Sequence, residues 1–159
     1  MAQPRFRVRT YLLLAVVALL LIELATYGLW ADKAAVGVAL RYLPQSGGRD
    51  FVWLLTAGLT PDQERMLVEA LKAQFRAVYR ARTDIPPEHL VWSKSPPPKF
   101  LGFDGGFLWN WTQRQRGWLW FRAEFEYWQS NTGAESQSAT FIWLFGTWVR
   151  VWTGPRAIS

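Results

Sequence analysis

Glu124 and Glu126 stand two apart in "WLWFRAEFEYW", the stretch from 118 to 128. On an extended strand that spacing points both carboxylates to one face, about 6–7 Å apart. Paired carboxylates near that separation carry glycoside hydrolysis. Trp118, Trp120 and Trp128 fall on the same alternation, and flat rings of this kind suit sugar stacking, with Arg122 placed to steer an anion. A solvated sheet face explains the same letters, its acids neutralised across strands by Arg122 and Arg150. Arg-x-Glu-x-Glu is ordinary for such a face. The residues therefore define a candidate binding surface more readily than a catalytic centre.

Arg114 and Arg116 extend that surface into "TQRQRG" at 112 to 117, between Trp111 and Trp118. Basic residues interleaved with rings bind acidic lipid heads or nucleic acid. A solvated turn is the plainer account, and the overall +6 charge is a weak case for nucleic acid. Beyond residue 42 there are 13 Lys or Arg against 10 Asp or Glu, an excess of 3. No nucleic-acid partner is expected. His89, the one histidine, excludes a multi-histidine metal site and reads as a loop residue. The chain has no cysteine, which removes disulfides, thiolate nucleophiles and thiolate metal ligands. "GFDGG" at 102 to 106 lacks the spacing of a phosphate loop and reads as a turn, and "NWT" at 110 to 112 matches a glycosylation acceptor. No metal and no cofactor is implied.

Something must position these residues, and the first candidate is an anchor. "YLLLAVVALLLIELATYGLWA", 11 to 31, gives roughly 31 Å of helix, the thickness of a hydrocarbon core. Tyr11, Tyr27 and Trp30 lie near its ends, where amphipathic rings favour the headgroups. Arg5, Arg7 and Arg9 precede it, so residues 1–10 read as a cytoplasmic basic tail with the rest outside. A cleaved signal peptide is the rival reading, weakened by Trp30 where small residues are wanted. Glu23 is the one charge within the span. It costs about 2.5–3.5 kcal/mol on insertion scales, so it sheds its charge, leans to the nearer interface, or meets a donor on a second membrane helix.

Residues 32–49 read as a juxtamembrane linker, helical at first and broken by Pro44 and Gly47-Gly48. Residues 50–159 then form one domain. "DFVWLLTA" is a short apolar strand. Thr60, Pro61 and Gln63 form a capping box that opens an amphipathic helix, whose stripe of Leu67, Leu71, Phe75, Val78 and Tyr79 carries it to Pro86-Pro87. "LVW" at 90 to 92 is a strand, and 99 to 112 a hairpin with Asp104-Gly105 at its tip. A strand from Trp118 follows, with Leu119, Phe121, Ala123, Phe125 and Tyr127 facing the helix. A polar loop at 129 to 138 leads to a final strand, 139 to 152, in which Gly146 marks a bulge or bend.

The expected fold class is α+β: a transmembrane helix, then one long amphipathic helix on a curved antiparallel sheet of four to six strands. The order β-α-β-β-β-β resembles that of cystatin-like and NTF2-like rolls, an analogy of order that carries no function. The expected function is a membrane-anchored, non-enzymatic interaction module or accessory subunit of a membrane complex. Its partners would be the lipid bilayer and a membrane protein, because interface cores favour the Trp, Tyr and Arg that are in surplus here. The alternative is a lipid- or glycan-binding domain, less readily a hydrolytic one, that uses the ring-rich face.

Overall fold

The computed structural model describes residues 4–44, 50–94, 96, 100–129 and 133–158. Its first helix, α1, runs unbroken over Pro4–Arg41, 38 residues or about 57 Å. It is long and apolar enough to cross a membrane by length and composition, and its most apolar stretch is wholly exposed. From Ala31 onward its character changes. Ala31, Ala35 and Ala39 lie four apart on one face, and all are buried, with Val36 and Val38 beside them. Small side chains at that spacing let a helix lie close against a sheet. The stretch expected to begin a linker is therefore helix to Arg41 and part of the core.

The sheet that receives it has the order β2-β1-β5-β6-β7-β8. The strands are β1 (Phe51–Ala57), β2 (Ala77–Tyr79), β5 (Gly106–Arg116), β6 (Trp120–Gln129), β7 (Gly133–Leu144) and β8 (Thr147–Thr153). A short β9 (Ala157–Ile158) also pairs with β7. β1 runs parallel to both β2 and β5, whereas β5 to β8 are antiparallel. A separate two-stranded piece, β3 (Leu90–Trp92) with β4 (Phe100–Phe103), caps the opposite face at one end. Alternation decides what lies in the core beneath the helices. Phe107, Trp109 and Trp111 of β5, Phe121 and Ala123 of β6, and Ala139, Phe141 and Trp143 of β7 are all buried there.

The capping box forms as the spacing predicts. Gln63 N–H donates to Thr60 Oγ1 and Gln63 Oε1 accepts from Thr60 N–H. The helix it opens, α2, ends at Lys72, after 12 residues and not after five turns. The chain bends at Phe75, which is buried against Phe107. Val78 and Tyr79 then pair with Val52 and Trp53 as strand. The free edge of β1 takes this segment, and tertiary pairing overrides a helical stripe that is only locally consistent.

The fold differs from the expected roll in five further ways, each a matter of strand edges. The sheet is mixed and seven-stranded, not antiparallel with four to six strands, because β1 inserts parallel beside β5. Asp104-Gly105 does form a turn, but β4 pairs with β3 and β5 with β1, so the described residues form no 99 to 112 hairpin. The expected turn at 112 to 117 is strand to Arg116, with a bulge between Gln113 and Gln115. Most of the expected polar loop is strand: Ala134 to Ser138 pair with Glu124 to Trp128. The final segment is a hairpin: Phe145 and Gly146 both adopt positive φ, 52° and 72°, and fold β8 back on β7. Two consecutive left-handed residues are what a tight type I′ hairpin turn requires.

Candidate functional site

The face of the sheet away from α1 is covered by β3 and β4 at one end only. The remainder is a shallow cleft of about 340 Å³. Strand register builds its floor as a grid. Asn110 lies opposite Glu126 and Thr112 opposite Glu124 across β5 and β6. Arg122, Glu124 and Glu126 lie opposite Thr140, Ser138 and Ser136 across β6 and β7. Over the cleft every second residue of three strands is thus polar, which is why this stretch stays wet while its reverse is the core.

Arg122 is the centre of the grid. Its Nη2 donates to Ser138 Oγ at 3.3 Å, and its guanidinium lies 4.9 Å from the Trp152 ring. Its Nε is buried with no hydrogen-bond partner. Arg114 Nε donates to Glu124 Oε2 at 2.6 Å, an ion pair that is half exposed on both sides. Glu126 has no ion-pair partner among the described residues. The two glutamates share a face as their spacing predicts, but Glu124 is engaged by Arg114. No group of three or more metal-ligating side chains occurs among the described residues. The cleft can recognise a polar ligand through hydrogen bonds, one stacked cation and one ring.

The three tryptophans expected to line this face go to three places. Trp120 begins β6 with its ring over Gly117, where a Cβ would overlap the indole. Trp128 sits beneath the β4 cap, 5.6 Å from Phe103. The two are eight residues apart on one strand, about 27 Å. Trp118 is not on the strand at all. It lies in the turn between β5 and β6, 67% exposed. The tryptophan that does border the cleft is Trp152. Its signal in the sequence is the Phe-Gly pair at 145–146: reading that pair as a hairpin turn brings Trp152 back beside Thr140.

A second constellation lies at the end of the sheet where the β5–β6 turn and the β7–β8 hairpin meet α1. Glu23 Oε1 accepts the Phe145 N–H at 2.7 Å. Tyr27 packs edge-on against Trp143 and Trp148, at 5.7 and 6.0 Å. Trp148 Nε1 donates to the Ala31 carbonyl at 2.9 Å. Asp32 accepts from the buried Gln63 at 2.7 Å and faces Arg116 at 3.5 Å, which joins α1 to α2 and β5 at one carboxylate. The Arg116 guanidinium is held above its ordinary pKa, first by a side-chain hydrogen bond with Tyr27 and further by Asp32, against the opposing effect of burial. His89 ends a short 3-10 helix over Pro87–His89 and does not lie in a loop, its Nδ1 3.2 Å from the Asp104 carbonyl.

No known protein family, curated protein or solved structure matches this chain.

Proposed function

We propose that this chain is a single-span membrane protein whose folded part lies outside the cytoplasm and acts by binding, as an accessory subunit of a membrane complex. The observation that carries this reading is the double nature of α1. Its exposed apolar half continues without a break into a half that is packed in the sheet core. A helix of that kind fixes the orientation of the domain on the bilayer and so presents the cleft at a defined angle. The arginines before the span favour the cytoplasmic side for the N-terminus.

The absence of cysteine makes the test direct. Single cysteines at Thr10 and at the exposed Glu69 are labelled with a membrane-impermeant maleimide on intact cells, after confirming that the chain resists carbonate extraction. Labelling at position 69, and at position 10 only after lysis, is expected. The reverse pattern, or release of the chain by carbonate, overturns the reading. Extraction in mild detergent then reports on the partner. Migration of the chain as a lone monomer contradicts the subunit role.

A second reading rests on the unpartnered, buried Arg122 Nε beside Trp152. A donor buried without an acceptor is costly, and a glycan hydroxyl or a carboxylate entering the cleft would satisfy it. Binding to a glycan array that is lost in Arg122→Ala and Trp152→Ala, both still folded, supports this. No binding by the folded wild type removes it.

A further inference from the structure

On the reading that α1 spans a bilayer, we propose that the tip of the β7–β8 hairpin, with Trp118 of the adjoining turn, docks into the interface of that same bilayer. The domain then sits on the membrane and is not held above it.

The depth follows from the helix itself. Arg9 is the last cation before the apolar stretch and marks one interface. About 30 Å of hydrocarbon, at ~1.5 Å per residue, then reaches 20 residues further, to Leu29. Glu23 lies six residues short of that boundary, about 9 Å inside it. The hydrogen bond from Phe145 N–H to Glu23 therefore places the hairpin tip at the same depth. Arg116 and Leu119, flanking Trp118, are tied to Asp32 and to Trp143, so Trp118 lies near the level of residues 27 to 32, at the headgroup boundary.

The side chains found there suit that location. Phe145 is 80% exposed, and Trp118 is exposed, as are Leu29 and Trp30 of α1. Lys33 lies 5.6 Å over the Trp30 ring, a cation and an amphipathic ring at the expected boundary. Phe145 holds a left-handed conformation that a bulky residue rarely adopts. A hairpin turn in water favours Asn or Gly at that position. An exposed ring in a strained turn has no use in water and a clear one in lipid. The same placement accounts for Glu23. In a two-residue hairpin loop the N–H of the first loop residue has no ladder partner, and at bilayer depth no water satisfies it. Glu23 Oε1 is the acceptor, while its Oε2 is buried with no hydrogen-bond partner and leaves a place for the donor on a second membrane helix that its position suggests.

The test uses the full chain in phosphatidylcholine vesicles. Single cysteines at Phe145, Trp118, Leu20 and Glu69 carry an environment-sensitive fluorophore. Quenching is measured with lipids doxyl-labelled at a shallow acyl position and with aqueous iodide. Positions 145 and 118 should be quenched severalfold more by the shallow lipid than position 69, and shielded from iodide. Because a label at 145 can disturb its own turn, position 118 gives the independent reading. If 145 and 118 match 69 while position 20 stays in lipid, docking is wrong and the span stands. If position 20 is also open to iodide, the span itself fails.

Discussion

Removing residues 1–49 should destroy the domain and not liberate it. Sequence patterning places a separable domain at 50–159, whereas the structure puts Ala31 to Ala39 in its core and packs Tyr27 and Tyr42 on its rings. Phe125, Phe141, Trp143 and Trp148 face those two tyrosines. Each such ring buries roughly 150–250 Å². Uncovering about half of four rings exposes roughly 300–500 Å², or about 7–13 kcal/mol at ~25 cal/mol per Å². Whole domains are stable by only about 5–15 kcal/mol. A fragment of residues 50–159 should therefore lack near-ultraviolet tryptophan dichroism, bind hydrophobic dyes and unfold without a cooperative transition. A fragment of residues 26–159, which keeps Tyr27 and the buried half of α1, should unfold in guanidinium as a single transition. Equal midpoints for the two fragments would refute the claim that α1 belongs to the core.

Gln63→Leu should cost about 2–4 kcal/mol in chemical denaturation, because it removes the side-chain half of the capping box and the bond to Asp32; a loss under about 0.5 kcal/mol would mean that this node holds nothing together. Gly58→Ala should destabilise by at least about 2 kcal/mol, since φ is +74° and a Cβ would overlap the Gln113 carbonyl; an unchanged midpoint would contradict the local backbone. Arg116 is held above its ordinary value, so the stability it contributes is complete below that value and is lost only as pH rises through the higher folded one. Between about pH 6 and about pH 9 it adds no slope, so a pH dependence in that range that vanishes in Arg116→Met would contradict the assignment.

Sequence by itself determined whatever is written in neighbouring residues. Hydropathy alone marks a stretch around 11 to 31 long enough to cross a bilayer, and the α1 helix contains it. Thr60, Pro61 and Gln63 announce the start of α2, because a helix N-terminus is satisfied by residues three positions away. The period of two along β6 separates Phe121 and Ala123, which are buried, from Arg122 and Glu124, which border the cleft. Tertiary structure decided what depends on which edges meet. Nothing local says that α2 stops at Lys72, because the cause is the free edge of β1. The Phe-Gly pair reverses the chain locally, but it takes the pairing of β7 with both β6 and β8 to bring Trp152 to Arg122. Glu23 finds its donor 122 residues away at Phe145. Periodicity and capping act over a few residues, whereas a carboxylate oxygen or an open strand edge takes whichever segment the completed fold brings within reach.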